Sequence, residues 1–149
     1  MKKHIYRIIL LLFAVMTISS CESYLIHDEL DGFWQATSIE DKESGEMRHC
    51  NGDIYYSFQR DLVLITYVSP TIPVGKMKES YIAYFAYDND SIAMTDFRIY
   101  YDNNGAQAPL AELEKFGLHE TFNTFLVEKL DKSSLILNSK RSRIVLKKY

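Results

Sequence analysis

The stretch Leu30-Asp31-Gly32-Phe33-Trp34-Gln35-Ala36-Thr37-Ser38-Ile39 decides the fold of this chain. It holds the only tryptophan of the sequence, two residues after a glycine. Its aromatic and β-branched residues precede a polar turn cluster at 41–46, which is typical of a strand. We interpret residues 33–39 as the first strand of a small β-barrel, with residues 143–149 returning to pair with it.

Residues 1–20 predict a signal peptide. Lys2, Lys3 and Arg7 form a basic head without any acidic residue, and the almost wholly apolar run 8–18 follows. A basic head before an apolar run of about 7–15 residues is typical of an export signal. The run is too short for a membrane span, which needs about 20 apolar residues.

The end of this segment, Ile18-Ser19-Ser20-Cys21, resembles the lipobox of bacterial lipoproteins. The resemblance implies cleavage before Cys21, a diacylglycerol on its sulfur and an acyl group, such as palmitate, on its new amine. Two or more acyl chains anchor a protein stably to a bilayer. We therefore expect residues 21–30 to be a lipidated tether and the protein to lie in the cell envelope, at the outer membrane.

Charge and cysteine content narrow the class of protein further. Without residues 1–20, 14 basic side chains face 20 acidic ones, which gives a net charge of −6. Nucleic-acid binding favours a basic surface, so this class of partner is not expected. With Cys21 lipidated, Cys50 is a lone thiol, and residues 31–149 must fold as one domain on an apolar core.

A succession of strand patterns separated by polar turns fills the rest of the chain. A helix of about two turns interrupts it, with Leu110, Leu113 and Phe116 at helical spacing. Gly117 suits the left-handed residue after a helix, where Leu118 would contact Leu113 in a Schellman motif. Residues 47–53 are read as irregular. The predicted strands are 33–39, 54–59, 62–68, 80–87, 91–101, 122–130, 134–138 and 143–149.

Eight strands with mostly short connections predict an all-β, antiparallel, up-and-down barrel with one short helix before the last three strands. Closure into a barrel removes the exposed edge strands. The interior of an eight-stranded barrel is wide enough for side chains or for one small ligand.

The Gly32-Phe33-Trp34 motif, the late helix and the segments 127–137 and 144–149 are similar to those of bacterial lipocalin-like lipoproteins. The resemblance implies a lipocalin-like barrel, a fold that often binds small hydrophobic molecules. It also implies a cation–π contact between a late basic residue and the Trp34 ring. Four residues are candidates for that contact: Arg141, Arg143, Lys147 and Lys148.

Aromatic residues on three strands are the candidate ligand contacts. Trp34 is either a ring at the base of a cavity or a core plug, and the plug is favoured because an indole buries a large area. The aromatic faces of two other strands either line a cavity with orienting hydroxyls or fill the barrel, and filling is favoured because protein interiors are densely packed. The candidates are Trp34, Tyr56, Phe58, Tyr81, Phe85 and Tyr87.

No metal, cofactor or catalytic activity is expected. His49 and Cys50 are adjacent, which is poor spacing for two ligands of one ion, and His27 and His119 are isolated in the sequence. The chain has no nucleophile elbow, phosphate loop or metalloprotease helix.

The sequence leaves two functions open. The leading hypothesis is a membrane-anchored envelope protein whose barrel binds a small hydrophobic or amphipathic molecule. The alternative is a non-enzymatic interaction or structural module with a filled barrel, whose loops at 47–53, 69–76 and 102–108 would contact an envelope partner.

Overall fold

The computed structural model describes residues 27, 29–69, 79–88, 90–102 and 104–149. The predicted signal peptide, Cys21, most of the tether and most of the 69–76 loop lie outside the described residues. In the part that is described, no helix has the length and apolar character to cross a bilayer.

Nine strands and one short helical segment make up the described chain. The helical segment is α1 (Leu110–Leu113), continued by a 3-10 turn at Glu114–Phe116. The strands are β1 (Gly32–Asp41), β2 (Glu46–His49), β3 (Ile54–Gln59), β4 (Leu62–Tyr67), β5 (Glu79–Asp88), β6 (Ser91–Ile99), β7 (Phe122–Leu130), β8 (Ser134–Asn138) and β9 (Ser142–Lys148).

Eight of these strands close into an antiparallel barrel, which confirms the predicted fold. Sequential neighbours from β3 to β9 pair antiparallel, and β1 pairs with both β3 and β9. The β1–β9 ladder runs from Trp34 opposite Lys148 to Asp41 opposite Ser142. The expectation that the last strand returns to the first is therefore correct.

The expectation that residues 47–53 are irregular is wrong for residues 47–49. Glu46–His49 forms β2, which pairs with the second half of β1, whereas β3 pairs with its first half. The two strands thus form one interrupted strand along a single edge of β1. The break is confined to residues 50–53, where Gly52 has a φ of +80°.

The predicted helix and its Schellman end are confirmed. Gly117 has a φ of +79°, and its N–H donates to the Glu114 carbonyl oxygen at 2.9 Å. The Leu118 N–H donates to the Leu113 carbonyl oxygen at 3.3 Å, which completes the paired hydrogen bonds of the motif. Leu113, Phe116 and Leu118 are at most 1% exposed, so this segment closes one end of the barrel.

Gly117 is required both by its backbone and by its surroundings. A Cβ at this position would lie 3.1 Å from side-chain carbons of Ile39 and Ile144, on the two strands that close the barrel. We predict that Gly117→Ala lowers the free energy of unfolding by about 2–4 kcal/mol, because left-handed strain of about 1–2 kcal/mol adds to overpacking. Urea unfolding followed by tryptophan fluorescence measures this change.

Gly45→Ala is the matched control. Gly45 has a similar φ of +74°, but no atom lies within 4 Å of a Cβ built there. This substitution should cost the backbone strain alone. Equal losses for the two variants would contradict the packing of Gly117 against the closing strands.

Candidate functional site

The aromatic residues predicted as ligand contacts on β3 and β5 come together inside the barrel. Tyr56 and Phe58 of β3 stack with ring centres 6.4 Å apart, and Phe58 meets Phe85 of β5 edge-on at 5.2 Å. Tyr81 lies on the same face of β5 as Phe85 and contacts Phe116 at 5.7 Å. The strand alternation read from the sequence therefore places these rings on the interior face.

The barrel interior around these rings is filled by side chains. Trp34 and Tyr56 are 0% exposed and Phe58 is 1% exposed. A ligand-sized empty cavity would leave its wall atoms within reach of a water molecule, and these side chains have almost no such area. Their contacts are the dense packing of a protein core.

At the helix end, two tyrosine hydroxyls bind the segment that closes the barrel. The Tyr56 hydroxyl donates to the Phe116 carbonyl oxygen, and the Tyr81 hydroxyl donates to Oε2 of Glu112 at 2.5 Å. Burial raises the pKa of both tyrosines, and the Glu112 carboxylate raises that of Tyr81 further. Both hydroxyls therefore stay protonated as hydrogen-bond donors.

At the opposite end, the chain that precedes β1 closes the barrel. Leu30 is fully buried, and the Trp34 Nε1–H donates to its carbonyl oxygen at 2.7 Å. The ring of His27 lies 5.5 Å from that of Tyr87, which is half-buried, and 5.8 Å from that of Phe85. The arriving chain thus packs against β5.

Lys148 makes the predicted cation–π contact. Its Nζ lies 4.4 Å from the centre of the Trp34 ring and donates to the carbonyl oxygens of Asp31 at 2.6 Å and Glu29 at 3.2 Å. Burial lowers its pKa, while the Asp31 carboxylate opposes that shift. One ammonium group therefore joins β9, β1 and the chain before β1.

The glycine of the Gly-x-Trp motif is required for a steric reason. Gly32 has a φ of +130°, and a Cβ there would lie 3.0 Å from Cε and Nζ of Lys148. A larger residue at this position would push the ammonium group away from the Trp34 ring. Gly32 and Trp34 are thus two parts of one structural contact.

A groove on the outer wall of the barrel was not predicted from the sequence. It has a volume of about 400 Å³ and is lined by Phe33, Tyr55 and Tyr149, together with Leu64 and Tyr101. We call the first three residues the β1–β3 aromatic patch. Their rings meet at 5.6–6.3 Å. The alternation of side chains along β1 and β3 could have predicted it, because this alternation places Phe33 and Tyr55 on the face away from Trp34.

The histidines and Cys50 do not form a cluster. His49 is exposed, His119 is 9% exposed and Cys50 is half-buried. Burial and the neighbouring Asp53 raise the pKa of the Cys50 thiol. Within the described ranges, no three acidic, histidine or cysteine side chains are placed to hold a metal ion.

Comparisons with known proteins agree with this architecture. A family model described as a lipocalin-like domain matches residues 15–149. A crystal structure of a lipocalin-like protein from Bacteroides uniformis is 20% identical with a TM-score of 0.58, covering 81% of this chain and 99% of that one. An uncharacterized protein from Bacteroides eggerthii is 22% identical with a TM-score of 0.59, covering 80% and 99%. No curated protein is significantly similar in sequence.

This chain belongs to the lipocalin-like domain family, because the family model covers most of its length. The two crystal structures share its fold at identities that carry no information on ligands. The predicted family resemblance is therefore confirmed.

The Lys148 contact yields a prediction on stability. We expect Lys148→Met, which keeps most of the aliphatic stem, to lower the free energy of unfolding by about 2 kcal/mol. The loss comprises charge-assisted hydrogen bonds to two carbonyl groups and a cation–π contact. Urea unfolding measures the change, and the fluorescence maximum of Trp34 should shift because the ring loses its cation.

Lys147→Met is the control at the adjacent, exposed position of β9. An exposed substitution of this kind stays within about 0.5 kcal/mol. If both variants had the same free energy of unfolding as the parent protein, the Lys148 contact would not stabilise the barrel.

Proposed function

We propose that this protein is an exported, lipid-anchored component of the cell envelope whose barrel is a filled, non-enzymatic module that works through its outer surface. The anchor would be Cys21, at the outer membrane. The barrel would then be a rigid body held close to the bilayer rather than a container.

The observation that carries this proposal is the packing of the barrel interior. The helical segment closes one end, the chain around Leu30 closes the other, and Trp34 and Tyr56 between them have no exposed area. Every candidate ligand contact on β3 is already in contact with other side chains.

The free energy needed to open the barrel also favours a filled module. Lifting the helical segment would expose Leu113, Phe116 and Leu118, each worth about 1.5–3 kcal/mol when buried. The sum is roughly 5–9 kcal/mol, and every loss of about 1.4 kcal/mol of binding free energy weakens the apparent affinity tenfold. An interior ligand would therefore lose more than about three orders of magnitude in affinity.

A second candidate function is binding of a small hydrophobic or amphipathic molecule inside the barrel. It is favoured by the hydroxyls of Tyr56 and Tyr81, whose partners Phe116 and Glu112 both lie on the short closing segment. A ligand with a polar group could replace those acceptors if the segment lifted. Its apolar part would then lie against Phe58 and Phe85.

A ligand screen separates the two functions. Trp34 fluorescence should not respond to a panel of fatty acids, sterols and lysophospholipids, because the ring has no accessible area. Native mass spectrometry of protein purified from its own host should show the acylated chain without further mass. A stoichiometric co-purifying lipid would establish the carrier instead, and Tyr56→Phe should then weaken its binding.

Lipid anchoring is tested by metabolic labelling with palmitate. We expect Cys21→Ala to abolish labelling and to release the protein from the membrane fraction, because the acyl chains require that sulfur and its amine. Cys50→Ala removes the only other cysteine and should leave labelling intact. Persistent labelling of the Cys21→Ala variant would refute the anchor.

A further inference from the structure

An uncharged outer face spans three neighbouring strands of the barrel. We call it the β5–β7 face; it consists of Tyr84, Ala86, Ala93, Thr95, Phe122, Thr124 and Leu126. Register places Tyr84, Thr95 and Phe122 in one row, and Ala86, Ala93 and Thr124 in the next. Leu126 extends the face, opposite Ser91, and this third row ends at the exposed Asp88 of β5, which marks the margin of the uncharged area.

The large side chains of this face are turned to solvent. Tyr84 is 52% exposed, Phe122 is 56% exposed and Leu126 is 54% exposed. Large apolar patches on a soluble domain mark interaction surfaces more often than single exposed residues do. The ion pair between Asp96 and Arg98 bounds the face toward the helix end.

We propose that the β5–β7 face lies against the bilayer surface. This inference rests on the proposed lipid anchor at Cys21. Only five residues lie between Cys21 and His27, a span of at most about 22 Å. His27 in turn packs on Tyr87 and Phe85, the inward-facing neighbours of Tyr84 and Ala86, so the chain from the anchor reaches the end of the barrel beside this face.

Charge favours contact through this side of the barrel over contact through its end. The end where His27 arrives carries charges of both signs. Its turns hold Asp61, Asp88, Asp90 and Asp131 together with Arg60 and Lys132, and Lys129 pairs with Asp131. Contact through that end would require these charged groups to lose water, which costs free energy. The β5–β7 face has no charge to desolvate, and tyrosine and phenylalanine are side chains that suit the membrane interface.

The absence of charge also fixes how the contact responds to salt. Contact between apolar side chains and lipid is not screened by ions, whereas contact between opposite charges is. The proposed orientation should therefore persist from low to high ionic strength.

Photo-crosslinking from lipid tests the proposal on the intact, acylated protein. The protein is reconstituted into phosphatidylcholine vesicles that contain a phospholipid with a diazirine in its acyl chain, and cross-linked peptides are identified by mass spectrometry. We expect peptides with Tyr84, Phe122 and Leu126 to be labelled at least fivefold more than those of the β1–β3 aromatic patch. The ratio should be the same in 50 mM and 500 mM salt.

Two variants sharpen the experiment. Leu126→Glu places a charge in the β5–β7 face and should reduce its labelling severalfold, whereas Tyr149→Glu, at a 78% exposed position of the control patch, should not. Both positions are exposed, so both variants should fold. Equal effects of the two variants would overturn the proposal.

The remaining outcomes separate this inference from the anchor. If the intact mass lacks acyl chains, the lipid anchor fails. If the protein is acylated but the β5–β7 face is not labelled, the face does not meet the bilayer, and a partner protein or a second copy covers it instead. Preferential labelling of the β1–β3 aromatic patch would assign the bilayer contact to the other side of the barrel.

Discussion

The ammonium group of Lys148, 4.4 Å from the centre of the Trp34 ring, is the contact on which the barrel depends. A barrel has no free edges only while its first and last strands stay paired. This ammonium group fixes that pairing at one end, because it also holds the carbonyl oxygen of Asp31. Gly32 leaves the space for it, so the short motif at the start of β1 and the end of β9 form one unit.

Two polar groups inside the apolar barrel explain why so short a helix is kept. A buried hydroxyl without a partner costs about 1–3 kcal/mol, and Tyr56 is fully buried. The Phe116 carbonyl group supplies its acceptor, and Glu112 does so for Tyr81. The helical segment therefore completes the core as well as covering it.

The strand pattern was predictable because inward and outward residues alternate along most of the barrel. Glu46–His49 has no such apolar alternation, so β2 could not be predicted from its own residues; its pairing with β1 defines it as a strand. The choice of Lys148 among four basic residues could not be made either. A bulge between Ala36 and Ser38 shifts the β1–β9 register by one residue, and without it Trp34 would face Tyr149. The exposed face across β5, β6 and β7 could likewise not be predicted, because it depends on the register of the three strands.

The pairing of β1 with β9 has a consequence for the order in which the molecule folds. Trp34 and Lys148 are partners across almost the whole length of the domain, whereas the pairs from β3 to β9 join strands that are consecutive in the chain. Long-range pairing closes slowly, since the loop entropy is lost before the contacts form. During synthesis, β1 keeps one edge unpaired until residues 142–148 emerge. Before closure, that edge is open to pairing with another chain, so it needs the most protection from aggregation.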